Sequence, residues 1–330
     1  MPNFWRDRNV LVTGANGFVG SMLAASLAGQ QANVVAAVRD IRPKSTLAYM
    51  GVEKKLHGIA KGDLADFSFV ARVMDEYEIS HCFHVAAQPI VGIANHSPLQ
   101  TFETNIKGTW NVLEACRNCK TFAGLVVASS DKAYGSNPNL PYQEDYPLNA
   151  TNPYDVSKAC TEAVSKAYFS TYGLPLAITR CSNIYGPGDL NFSRIVPGTV
   201  KTLIFGEQPI VRSDGTPVRD FIYIDDTVSA YLALAENLQR KDVNGQALNF
   251  GGGGPIRIID AVEKIIKLSG KKLKPKVVGT GKLKGEIDAQ YLSNEKASKL
   301  LGWAPKTKLE DGLLKAYGWY ETYFRDGGYI

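Results

Sequence analysis

Cysteine and histidine are scarce, five and four among 330 residues. Cys82, Cys116, Cys119, Cys160 and Cys181 all fall in segments that read as strands or helices. Cys116-Arg117-Asn118-Cys119 has the gap of a redox or zinc motif but no second Cys/His pair to complete it. A disulfide framework is excluded, no metal site is expected, and reduced thiols in a cytoplasmic protein are the expectation. No apolar run approaches the ~18 residues that a membrane span needs. Trp5-Arg6-Asp7-Arg8 leads straight into a strand, so no signal peptide is expected. Charge of one sign is also lacking: 37 Lys and Arg are interspersed with 32 Asp and Glu, net +5, with no basic stripe. Nucleic acid is therefore not the expected partner, while a local anionic ligand would account for part of the excess.

What is present is alternation. Asn9-Val10-Leu11-Val12-Thr13 is a short apolar, β-branched run closed by Gly14, and Phe18, Met22, Leu23 and Leu27 then follow helical spacing. Further strands are predicted through Val34–Val38, around Leu56–Ile59, and at His81–Ala86, Gly124–Ala128 and Pro175–Thr179. Helices are predicted around Val70–Val73, from Pro98 to Cys116 and from Tyr154 to Tyr172. This order predicts an α/β protein: a Rossmann-type doubly wound parallel sheet over residues 1–185. After Gly186-Pro187-Gly188 the alternation stops, and residues 186–330 read as a smaller α/β substrate lobe, with some crossing of the chain between the two.

Gly14-Ala15-Asn16-Gly17-Phe18-Val19-Gly20 lies between the first strand and the first helix. Gly14 permits a tight turn, Gly17 lets backbone approach a pyrophosphate, and Gly20 lets helix and strand close up, with the helix N-terminus facing the phosphates. An acid at the end of the second strand would hold the ribose; Val38 occupies that place and Arg39-Asp40 follow. Asp40 suits a ribose hydroxyl and Arg39 a 2′-phosphate, so NAD is expected with NADP left open. Further on, Tyr154 and Lys158 stand at i and i+4 on one helix face, where a cation favours tyrosinate and makes Tyr154 a general base near neutral pH.

These motifs, with Gly62-Asp63-Leu64, Ala86-Ala87-Gln88, Asn105-Ile106-Lys107-Gly108-Thr109, Ser129-Ser130, Arg180–Gly188 and Arg219–Asp226, resemble the extended short-chain dehydrogenase/reductases, nucleotide-sugar epimerase and dehydratase branch. The resemblance runs to Leu301-Gly302-Trp303-Ala304-Pro305. It implies that Gly14, Asn16, Gly17, Phe18, Val19, Gly20, Arg39, Asp40, Asp63, Leu64, Ala86, Ala87, Gln88, Asn105, Tyr154 and Lys158 surround the cofactor. Gln88, Asn183, Arg194, Val196 and Arg219 are implied at the nucleoside-diphosphate sugar, Arg219 through the diphosphate. A homodimer pairing helices 98–117 and 154–172 is implied as well. The family's second arginine is missing, and Lys284-Gly285-Glu286-Ile287-Asp288-Ala289-Gln290-Tyr291 stands in its place.

Ser130-Asp131-Lys132 separates two reactions. Hydroxyl, acid and base in that order resemble the CDP-glucose 4,6-dehydratases. Tyr154 then takes the C4 hydroxyl proton as hydride passes to the nicotinamide, and the ketone formed acidifies C5–H. Lys132 removes that proton, Asp131 protonates the departing C6 hydroxyl, and the hydride returns to C6. If Asp131 and Lys132 are only a loop ion pair, the same Tyr/Lys set implies a 4-epimerase.

Overall fold

The computed structural model describes residues 3–281 and 287–327. Seven parallel strands form its main sheet: β1 (Asn9–Thr13), β2 (Asn33–Val38), β3 (Gly58–Lys61), β4 (His81–His84), β5 (Gly124–Ala128), β6 (Leu176–Cys181) and β7 (Ala247–Phe250). Their order is β7-β6-β5-β4-β1-β2-β3. Successive residues of a strand face opposite sides, and both sides here are covered. Val10, Val12, Val34, Ala36, Phe83 and Val126 enter one core, while Leu11, Val35, Ala37, Cys82, Leu125 and Val127 enter the other. That double coverage is why these strands read as unbroken apolar runs. Helices Phe18–Gly29 and Ile224–Glu236 cover the first face, and Phe67–Glu76, Gly108–Asn118 and Pro153–Tyr172 the second.

Strand order reverses between β1 and β4, so the connections leaving these two strands diverge and open a crevice at their carboxyl ends. Beside it, Asn183–Tyr185 pairs with Phe221–Tyr223, and a small sheet runs Ile256–Arg257, Val218–Arg219, Ala289–Gln290. The first two strands of that sheet are antiparallel and the last two parallel. Gln290 stands opposite Arg219 in this register.

Three elements depart from the expected pattern. β7 returns to the main sheet beside β6, far beyond the point where alternation had been expected to stop. Its four residues, Ala-Leu-Asn-Phe, are too few to show a period. The third strand is Gly58–Lys61, later than the Leu56–Ile59 stretch. The long helix expected from Pro98 to Cys116 is interrupted by a wide π-type turn at Glu103–Lys107. That interruption has a cause: Asn105 is turned into the protein and bonded to the loop after β4.

Candidate active site

Gly14 follows β1 with a φ of +66°, open to glycine at little cost. A Cβ there would lie 2.8 Å from Ala86 Cα, so Gly14 is also what lets the loops after β1 and β4 meet across the crevice. A Cβ on Gly20 would stand 2.9 Å from Ala15 Cα and collide with the Gly14 carbonyl. Gly17 caps the helix Phe18–Gly29 with no side-chain acceptor and no acid in the first turn. The result is an anion cradle of backbone N–H groups with a positive helix end. Asn16 closes its rim by donating to the Asp40 carbonyl at 2.8 Å. A shallow pocket lined by Asn16, Val38, Asp40, Arg42, Ser45 and Glu53 continues from it. Arg39 is half exposed and paired with Asp40 at 3.0 Å. Asp63 folds back on the N–H of Ala65 at 2.9 Å, and Asn111 holds the Leu64 carbonyl at 2.8 Å.

Under the crevice floor runs a chain of hydrogen bonds. Thr109 donates to the Asn105 carbonyl at 2.6 Å, so its oxygen accepts from His84 Nε2 at 3.0 Å. His84 Nδ1 then accepts from Thr13 at 2.9 Å, and Thr13 accepts from the Ala86 N–H at 3.2 Å. Burial pushes the imidazole down to about 3, which keeps it neutral, and the Thr109 hydroxyl, already committed to the Asn105 carbonyl, selects the Nε2–H tautomer. Asn105 adds a two-way clamp on Gln88, accepting from its N–H at 2.7 Å and donating to its carbonyl at 3.2 Å. Gln88 itself turns its side-chain amide onto the backbone of Ile90 at 2.8 and 3.1 Å. The polar side chains of Asn105 and Gln88, expected at cofactor and substrate, are thus engaged in bracing the loop that presents Ala86 and Ala87.

The catalytic candidates come from β5 and the helix Pro153–Tyr172. After β5, Ser130 caps a 3₁₀ turn, Asp131–Tyr134, accepting from the Lys132 N–H at 3.2 Å and donating to Asp131 Oδ1 at 3.0 Å. Asp131 is 2% exposed, and its Oδ2 has no hydrogen-bond partner among the described residues. Lys132 Nζ stands 3.6 Å from that oxygen. Burial lowers Lys132 from the ordinary lysine value and Arg219 adds to this, while Asp131 and Asp155 oppose it. Lys132 also donates to Gln290 Oε1, and Gln290 Nε2 donates to the Asp131 carbonyl at 2.8 Å.

Tyr154 and Lys158 do not produce the tyrosinate expected from their spacing. Burial raises the phenol to about 12, Asp131 and Asp155 add to this, and the neighbouring Ser130 hydroxyl and the Arg194 guanidinium oppose it. Lys158 is buried, donates to the Ala128 carbonyl at 2.7 Å, and is lowered by desolvation to about 8, with Glu162 opposing. Desolvation outweighs charge pairing here because Lys158 is buried and Tyr154 is partly buried beside it on the same helix.

Among the residues expected at the substrate, Asn183 donates to the Asp220 carbonyl at 3.2 Å. Arg194 pairs with buried Asp189 at 3.0 Å, and Arg219, 9% exposed, donates to the Val218 carbonyl at 2.8 Å. The Val196 side chain lies in the hydrophobic core, 2% exposed, so it shapes the helix Ile195–Ile204 from within. Sequence reading missed Gln290 and Glu162. Glu162 is wholly buried and binds Arg180 with both oxygens, at 2.8 and 2.7 Å, and Ser129 at 2.6 Å. Of the stretch in place of the second arginine, Lys284, Gly285 and Glu286 lie outside the described residues. Among the described residues no acidic, histidine and cysteine cluster could hold a metal ion, and no helix is long and apolar enough to cross a membrane.

A parallel sheet with a glycine cradle at its switch point and a Ser/Tyr/Lys set on the neighbouring elements defines an extended short-chain dehydrogenase/reductase fold. The family model described as GDP-mannose 4,6 dehydratase matches residues 11–316, and the chain belongs to that family of nucleotide-sugar dehydratases and epimerases. It is 28% identical to CDP-glucose 4,6-dehydratase of Salmonella typhimurium over 98% of this chain and 93% of that protein. It superposes on UDP-glucose 4-epimerase of Thermotoga maritima with a TM-score of 0.87 and 25% identity, covering 96% of this chain and 99% of the other. dTDP-glucose 4,6-dehydratase of Bacillus anthracis, solved in complex with NAD, gives a TM-score of 0.84 at 27% identity over 96% and 98% of the two chains.

Proposed function

We propose that this protein is an NAD-dependent 4,6-dehydratase of a nucleoside-diphosphate hexose, CDP-glucose being the first substrate to try. The observation that carries the reading is the Asp131–Lys132 pair: an acid with an unbonded oxygen and a desolvated amine 3.6 Å apart, beside Tyr154. An epimerase has no step that uses such a pair.

The cradle formed by Gly14, Gly17 and Gly20 fits a pyrophosphate, Asp40 a ribose diol, and Ala86, Ala87 and Lys158 the nicotinamide end. NAD, when bound, supplies a reversible oxidant for C4 and a positive charge near Tyr154. Without it Tyr154 is a neutral phenol; the charge of the oxidised cofactor and of the Lys158 ammonium would favour release of that proton, and the phenolate so formed would take the C4 hydroxyl proton. Lys158 is mainly protonated at neutral pH, since it titrates at about 8. Arg219 and Arg194 supply guanidinium groups for the diphosphate.

Elimination needs a neutral amine and a neutral acid together. Moving one proton from Lys132 to Asp131 would produce both at once without changing net charge. Lys132 then takes the C5 proton made acidic by the 4-ketone. Asp131 gives its proton to the C6 oxygen, which departs as water.

A homodimer belongs to the same proposal. Leu99, Trp110 and Tyr172, on the helices Pro98–Phe102, Gly108–Asn118 and Pro153–Tyr172, leave large apolar area exposed.

The test is the mass of the product from CDP-, UDP- and dTDP-glucose, GDP-mannose and UDP-N-acetylglucosamine. Loss of one water from one of them supports the dehydratase; an isomer of unchanged mass makes the protein an epimerase.

A further inference from the structure

The smaller lobe sends one side chain onto the proposed acid–base pair. Gln290 is wholly buried and sits on the strand Ala289–Gln290, opposite Arg219. The segment carrying it is fixed against the loop that follows the Asp131 turn. Tyr142 donates its N–H to the Tyr291 carbonyl at 2.9 Å, and Ser293 returns an N–H to the Tyr142 carbonyl at 3.0 Å. The Gln290 amide uses both ends, accepting from Lys132 Nζ and donating to the Asp131 carbonyl.

We propose that Gln290 is a positioning residue for Lys132, a neutral acceptor that holds the amine by one N–H without fixing its charge. The inference rests on the dehydratase reading for its purpose, though not for its geometry. Both the ammonium and the free amine carry an N–H to give to the Gln290 oxygen. The acceptor therefore serves the base before and after it takes a proton, and the nitrogen's remaining positions stay available to Asp131 and to the substrate. A carboxylate in the same place would bind the ammonium in preference and keep it charged. Other charged groups facing Lys132 are Asp131 on its own turn, Asp155 on the helix Pro153–Tyr172 and Arg219 on the adjoining strand. Two acids and one guanidinium already oppose each other there, so the uncharged amide adds an anchor without shifting the balance further.

Gln290→Glu tests charge, and Gln290→Met, close in volume, tests the hydrogen bonds. The first readout is the pH dependence of Lys132 acetylation in the intact chain, followed by peptide mass mapping. An opposite charge at this distance raises a lysine by about 1–3 pH units, so half-maximal labelling of Gln290→Glu moves up by that amount. In Gln290→Met the midpoint stays within about half of that span. The second readout divides turnover into substrate-dependent reduction of bound NAD and loss of water. Both variants keep the reduction step and lose water elimination by about 10²–10⁴-fold, the scale of a misplaced general base. An unmoved labelling midpoint in Gln290→Glu, or equal loss of both steps, overturns the inference. If the native protein removes water from no sugar, the dehydratase reading fails, and the labelling experiment still decides whether Gln290 contacts Lys132 as a neutral acceptor.

Discussion

Arg180→Met removes the guanidinium from a buried bidentate pair with Glu162, whose remaining ion-pair partner, Lys166, stands farther off at 3.8 Å. Arg180 is 1% exposed and Glu162 wholly buried, and the guanidinium also donates to Tyr134 at 2.6 Å and to the Glu144 carbonyl at 3.1 Å. Breaking one side of a buried pair costs about 3–5 kcal/mol, most of it the uncompensated charge. With an unfolding entropy of about 2.1 cal/mol/K per residue over 330 residues, that loss lowers Tm by about 4–7 °C. Arg72 and Glu76 provide the control. They are 2.9 Å apart and each about half exposed, and Arg72→Met costs about 0–1 kcal/mol, about 1 °C or less. The double variant Arg180→Met/Glu162→Leu recovers part of the loss, because the unpaired carboxylate is gone while Lys158 loses the acid that opposes its desolvation. Differential scanning calorimetry on the four proteins decides the matter. A fall for Arg180→Met no greater than for Arg72→Met refutes the reasoning, as does a double variant less stable than the single one.

The remaining predictions concern the site. Lys132→Met still reduces bound NAD when sugar is added but eliminates water about 10²–10⁴-fold more slowly, read by stopped-flow absorbance and product mass. Tyr154→Phe loses the reduction step itself by a similar factor, measured in single turnover. Glu162 holds Lys158 upward against desolvation, so Lys158 loses its charge as pH rises through about 8. Glu162→Gln moves that loss to lower pH, and the alkaline limb of the reduction rate shifts with it. Asp40→Ser removes the carboxylate from the pocket proposed for the ribose, and isothermal titration then shows the ratio of NADP to NAD affinity rising.

Local pattern carried most of the fold. The strands β1, β2 and β5 are legible because both faces of the sheet are covered, giving apolar runs with no polar alternation, whereas β3, at the sheet edge and partly exposed, begins two residues later than its apolar stretch. The glycine turn is equally plain, because Gly14 and Gly20 occupy positions where a Cβ would collide. What sequence did not show depends on contacts between distant segments. β7 is a short strand placed by its pairing with β6. The break at Glu103–Lys107 follows from a side chain bonded 17 residues away, Asn105 to Gln88. For Tyr154 and Lys158, spacing shows neighbours but not solvent, and desolvation raises the phenol to about 12 where spacing alone implied tyrosinate, while Lys158 is lowered only to about 8. Gln290 lies 158 residues from Lys132, and only the register of the small sheet brings them together. One signal did exist: Gln290 sits in the stretch that departs from the family pattern.

Everything specific in the proposed chemistry requires the Asp131–Lys132 pair to remove water after C4 is oxidised. The direct measurement is conversion of CDP-glucose, and of the other nucleotide sugars in turn, in heavy water, with mass spectrometry and NMR of the product. The account predicts a 4-keto product lighter by one water and carrying solvent deuterium at C5. An isomer of the starting sugar, with no water lost and no deuterium at C5, contradicts it.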